Sequence, residues 1–187
     1  MELKGKRVAV FVETLYQELE AWYPLLRLRE AGAEVFTIGP QAGATYESKL
    51  GYPIKADRGV DQVEVSDFDA LVIPGGFAPD YMRRSPAFVQ LVAAADREGK
   101  PIAAICHAVW MLCSARILRG RRVTCFFSIK DDVTNAGAEY VDAEVVVDRN
   151  LITSRRPDDL PAFCRAIIHA LSAAAKPAEV GAAAVRG

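Results

Sequence analysis

The feature that most constrains this chain is its alternation of short apolar runs with amphipathic segments. "RVAVFV" (Arg7–Val12), "AEVFTIG", "FDALVIPGG" and "PIAAIC" read as strands. "ELEAWYPLLRLREAG" (Glu18–Gly32) between the first two reads as a helix closed by Gly32. Pro24 falls inside it and should kink it or mark its true start. "SPAFVQLVAAADREGK" reads as a helix with Ser85 at the N-cap and Pro86 at its first position. Apolar strands separated by amphipathic helices give an α/β fold, a mostly parallel sheet covered on both faces. Ligands of such sheets bind at the carboxyl ends of the strands.

Further along, "TYESKLGYPIKAD" reads as a hairpin or two short edge strands, "HAVWMLCSARIL" as a helix and "RRVTCFF" as a strand. "SIKDDVTNAG" reads as a short helix. "AEVVVDRNLITS" reads as a hairpin turning at Asp148–Asn150, and "PDDLPAFCRAIIHALSAAA" as the last helix. The 187 residues suit one domain, expected over 1–175, with an Ala-rich frayed tail over 176–187.

Formal net charge is -1 and no Lys/Arg block tracks phosphates, which argues against a nucleic-acid partner. No apolar run has the length of a membrane span. "MELKGKRVAVFVET" has a basic start, but its apolar run is short and continues as a strand rather than a signal peptide, so a cytoplasmic location is expected. Four cysteines, none in a C-x-x-C pair, and two histidines argue against a structural zinc site. No metal and no cofactor is expected.

Two strands end where a ligand would lie, "LVIPGG" and "IAAIC". Cys106 closes the second, directly before a helix, between the small residues Ala104 and Ala108. That is a nucleophile-elbow position. A helix N-terminus there should stabilise the thiolate and lower its pKa. The backbone N–H of His107 follows the nucleophile and suits a developing oxyanion. Gly75 and Gly76 let further N–H groups approach it closely. Glu18 and Glu20 follow the first strand. Glu18 complements the helix dipole, and the apolar "AWYPLL" behind Glu20 can carry that end towards the core.

"DFDALVIPGGFAPDYMR", "GKPIAAICHA", "SIKDDVTNAGAEYVDAEVVVD" and "SRRPDDLPAF", in this order, closely resemble the PfpI (intracellular protease I) family of the ThiJ/PfpI group, within the class I glutamine amidotransferase-like superfamily. The resemblance runs from about Arg7 to about Leu171. It implies a flavodoxin-like three-layer α/β sandwich, with Cys106 as nucleophile and His107 as its partner. It implies a third, acidic member supplied by a neighbouring subunit of a homodimer or hexamer, at the position of Asp80. It also implies Glu20 as the carboxylate near the thiol, and the backbone of Gly75, Gly76 and His107 as oxyanion donors. Family members act as peptidases, or as deglycases and glyoxalases on methylglyoxal and its protein adducts. This chain departs from the pattern at Ala108, where the family often has Gly, and at two positions facing the pocket. Gln17 replaces a carboxylate and Phe126 a frequent tyrosine.

Three functions follow from these residues. The first is a cysteine hydrolase or lyase acting on a small carbonyl, aldehyde or amide-like substrate. The second is a redox-sensing or stress-protective protein whose thiol oxidises to sulfinate beside a protonated Glu20. The third is a binding module with an inert elbow, motivated by the departures.

Overall fold

The computed structural model describes residues 1–173; the tail expected over 176–187 lies outside them. Seven strands form the central sheet. In chain order they are β1 (Arg7–Phe11), β2 (Glu34–Gly39), β5 (Arg58–Gly59), β6 (Ala70–Ile73), β7 (Ile102–Ile105), β10 (Val145–Asp148) and β11 (Leu151–Ser154). Their spatial order is β10-β11-β7-β6-β1-β2-β5. Every neighbouring pair is parallel except β10–β11, whose hairpin adds an antiparallel edge. β6, β7 and β11 are buried at every residue, as strands covered on both faces must be.

The helices follow from crossover handedness. From β1 the chain steps one way to β2 through α1 (Glu18–Glu30). From β6 it steps the other way to β7, through α2 (Ala78–Met82) and α3 (Pro86–Arg97). Right-handed crossovers in opposite directions put α1 and α3 on opposite faces. α6 (Leu160–Ala173) packs beside α1, and α4 (Val109–Ser114) beside α3. The result is the three-layer sandwich of the flavodoxin-like class.

Smaller pieces refine the sequence expectations. β3 (Thr45–Glu47) and β4 (Pro53–Lys55) form the expected hairpin, apart from the main sheet. "RRVTCFF" is strand only at β8 (Arg122–Val123), which pairs with β9 (Glu139–Tyr140) in a separate ribbon, flanking α5 (Lys130–Asn135). Its next residue leaves the ribbon because Thr124 N–H donates to the Thr153 hydroxyl at 2.9 Å. The helix after Cys106 is a single tight turn plus six residues, and Arg116 in the left-handed region (φ 58°) follows it. α1 ends at Glu30, with Gly32 at φ 97° just beyond; Pro24 lies inside the helix and does not mark its start. Ser85 is the extended residue before α3, but its hydroxyl makes no capping bond. No helix among the described residues is long and apolar enough to cross a membrane.

Candidate active site

The carboxyl ends of β1, β6 and β7 converge on Cys106. This residue holds φ 63°, a left-handed conformation that a non-glycine residue adopts at a cost of about 1 kcal/mol. That backbone turns the chain from strand to helix and leaves the buried thiol on the wall of a cavity. Gly75 is what lets the neighbouring strand close in. A Cβ there would lie 2.8 Å from Cys106 Cβ and 2.6 Å from Glu20 Oε2. Gly76, at φ 80°, leaves equally little room, since its Cβ would meet Gln17 N and Leu15 O at 2.5 Å.

Gly75 was expected to serve the oxyanion. Its N–H instead donates to Glu20 Oε2 at 2.8 Å, in a buried contact 55 residues apart in sequence. The backbone N–H groups that favour a thiolate at Cys106 are those of His107 and Gly76. Glu20 is fully buried on the first turn of α1, and its second oxygen, Oε1, has no hydrogen-bond partner. Burial pushes its carboxyl up to about 8, against the pull of the Gly75 N–H and of the neighbouring Cys106 thiol. At neutral pH, Glu20 is therefore a protonated acid beside the thiol.

The thiol itself departs from expectation. Burial, and then the charge of Glu20 when ionised, push Cys106 up to about 12, against the backbone N–H groups of His107 and Gly76. The helix behind it is only six residues long and starts after an intervening turn, so its dipole does not offset the desolvation. Removing the proton requires a base, and His107 is in place. Its Nδ1 lies 3.2 Å from the sulfur and its Nε2 lies 3.3 Å from the Ser128 hydroxyl. We assign the tautomer in which Nε2–H donates to Ser128 and Nδ1 accepts from the thiol. Burial lowers the imidazole pKa, aided by the Lys49 charge, so the ring is neutral at pH 7. The ring stacks on Phe126, with centroids 5.1 Å apart, and meets Trp110 edge-on at 5.2 Å.

These groups open into a cavity of about 290 Å³, whose lining includes Gln17, Glu20, Cys106, His107 and Phe126. Gln17 also caps α1, accepting from Glu20 N–H at 2.8 Å. Asp80 is not in the cavity of its own chain. It sits half-exposed on α2 and pairs with Arg84 one turn on. Lys49, Phe77 and Pro157 line the cavity, and Ser128 holds His107; sequence reasoning assigned none of them a role. A larger cavity of about 470 Å³ lies along the outer side of α1, among Leu19, Trp22 and Leu26, and contains neither Cys106 nor His107. Among the described residues, no three His, Cys, Asp or Glu side chains cluster as a metal-ion site.

A flavodoxin-like sandwich with a left-handed cysteine at a strand-to-helix elbow, a carboxylic acid behind it and a histidine beside it defines a class of α/β cysteine proteins. The model of the DJ-1/PfpI family matches residues 6–170, and the chain belongs to that family. It is 45% identical over 171 residues to protein/nucleic acid deglycase 2 of Escherichia coli, covering 90% of this chain and 99% of the relative. It is 42% identical over 156 residues to deglycase PfpI of Pyrococcus furiosus, covering 83% and 93%. The crystal structure of DJ-1beta from Drosophila melanogaster superposes with a TM-score of 0.82 at 32% identity, covering 89% of this chain and 90% of that one.

Proposed function

We propose that this chain is a cysteine-dependent deglycase with glyoxalase-like chemistry, acting on a small carbonyl compound or its adducts. The observation that carries the reading is the contact of Cys106 Sγ with the neutral His107 Nδ1 at 3.2 Å, on an elbow that opens into a cavity. The names of the Escherichia coli and Pyrococcus furiosus relatives support the reaction class.

In this reading His107 takes the thiol proton as the sulfur bonds to an aldehyde carbon. The oxygen that gains charge meets the N–H groups of Gly76 and His107. The buried acid of Glu20 offers its O–H from the other side. With methylglyoxal the product is a hemithioacetal. A proton then moves from the sulfur-bearing carbon to the neighbouring carbonyl carbon, giving a lactoyl thioester. Water hydrolyses that ester to lactate and restores the thiol. With an amine adduct, the sulfur displaces the amine at the carbinol carbon and gives the same hemithioacetal. No step uses a cofactor. Asp80 of a second copy would complete the site in a homodimer or hexamer by taking the Nε2–H of His107 in place of the Ser128 hydroxyl. Proteolysis fits less well, because a cavity of about 290 Å³ has room for a small compound rather than a folded chain.

The test is methylglyoxal consumption without glutathione, followed by lactate formation. Wild type should produce lactate, Cys106→Ala none, and Asp80→Ala less than wild type. Equal lactate from wild type and Cys106→Ala would overturn the reading.

A second reading is favoured by the unpartnered Oε1 of Glu20. Peroxide would transfer oxygen to Cys106 stepwise, releasing water each time, and the Glu20 O–H would hydrogen-bond the resulting sulfinate. Intact mass during a peroxide titration tests it: oxygen uptake at Cys113, Cys125 or Cys164 before Cys106 would reject it.

A further inference from the structure

The cavity at Cys106 has an uneven charge. Of its ionisable lining groups, Glu20 is a buried acid, His107 a neutral ring and Cys106 a thiol. Lys49 is the exception, and it sits at the rim. Among the described residues it forms no ion pair, and its ammonium stands 5.7 Å from the centre of the Phe77 ring. Glu18 is near enough to feel the Lys49 charge but makes no ion pair with it, accepting from the Leu50 N–H at 2.6 Å. The segment that carries Lys49 is built rather than loose. Lys49 N–H donates to Tyr16 O, and the Ser48 hydroxyl accepts from the N–H groups of Leu50 and Tyr52.

A second cavity, of about 300 Å³, shares Phe126 with the first and is lined by Arg155 and Arg156. Arg155 is matched by Asp142 at 2.7 Å and Asp159 at 2.9 Å. Arg156 precedes Pro157 of the first cavity and reaches only the exposed Asp158, at 3.6 Å. Lys49 in the first cavity, and Arg156 in the second, are thus cations without a close buried counter-ion.

We infer that this rim is an anion subsite, with Lys49 as its principal contact, and that the carbonyl compounds taken best carry a carboxylate or phosphate beyond the reacting carbon. This rests on the reading of the cavity as a carbonyl site and specifies its substrate class. A lysine ammonium is a point charge without the fork of an arginine, so it serves either anion without demanding one planar geometry. Because the rim is solvated, the preference is moderate and sensitive to salt.

Binding decides the matter independently of turnover. Cys106→Ala would be titrated, by NMR, with benzaldehyde, 4-carboxybenzaldehyde and 4-formylphenyl phosphate. At least one anion should bind about three- to tenfold tighter than benzaldehyde. Which of them does so distinguishes carboxylate from phosphate. Adding Lys49→Gln should bring that ratio near one, Lys49→Arg should keep it, and high salt should shrink it. Equal binding of the three probes, or a preference that survives Lys49→Gln, would overturn the subsite. With Cys106 present, the kcat/KM ratio of 4-carboxyphenylglyoxal to phenylglyoxal should fall in parallel in Lys49→Gln. If neither glyoxal is consumed, the deglycase reading fails while the binding comparison still judges the rim.

Discussion

Replacing Glu20 by glutamine isolates the energetic cost of burying an acid behind the nucleophile. Folding raises this carboxyl from an ordinary 4.5 to about 8, chiefly by desolvation. Between those values the folded chain holds a proton that the unfolded chain has released. Stability from this group is complete below pH 4.5 and is lost as pH rises towards 8, at up to ~1.4 kcal/mol per pH unit. The full span corresponds to about 5 kcal/mol. Glutamine keeps the shape, can still accept from Gly75 N–H, and has no proton to lose. Urea unfolding of both chains at about pH 5, 6, 7 and 8 gives the comparison. The glutamine variant should gain on wild type by about 3.5 kcal/mol from the acid end to the alkaline end of that series. Cys106 does not interfere, since its ordinary value of 9.0 and its folded value of about 12 both lie above the window. His107 titrates in both chains, so its contribution largely cancels in the difference. A stability difference independent of pH would refute the argument, because Glu20 would then be ionised or hydrated in the folded chain.

Two further outcomes can be checked with ordinary assays. Ser128→Ala removes the partner of His107 Nε2 and should lower kcat two- to tenfold, about the worth of one hydrogen bond. Its pH–rate profile should shift while its unfolding midpoint stays in place; an unchanged rate and profile would show that Ser128 does not hold the ring. Gly75→Ala drives a methyl group against Glu20 Oε2 and the Cys106 side chain, and should destabilise the fold by about 1–3 kcal/mol, read as a lower Tm.

The sequence carried most clearly what is decided locally. A buried apolar run ending on a cysteine between alanines states a strand-to-helix turn within a few residues, and Cys106 occupies one. The parallel sheet followed from the strand and helix periods in the same way. What stayed hidden was decided by partners far along the chain. The N–H of Gly75 is spent on Glu20, 55 residues earlier, and nothing about a Gly-Gly pair reveals which acceptor its amide finds. Thr124 leaves its ribbon for Thr153, so a strand-like segment stops after Val123. Lys49 reaches the cavity from a hairpin that reads, by composition, as solvated surface. The direction of the Cys106 shift was also concealed. A dipole argument needs only the position of a helix, whereas the desolvation that outweighs it depends on every residue packed around the sulfur.

The left-handed backbone of Cys106 bears on how this chain could be engineered. Glycine would occupy that conformation without the roughly 1 kcal/mol that a side chain costs there. A library selected for heat resistance alone would weigh that relief only against the packing of the buried sulfur and the extra unfolded-state freedom of glycine, and any Cys106→Gly chain it recovers has discarded the thiol. Thermal improvement of this scaffold calls for a paired screen for the intact sulfur. The positions to diversify lie elsewhere, on faces whose torsions are already relaxed.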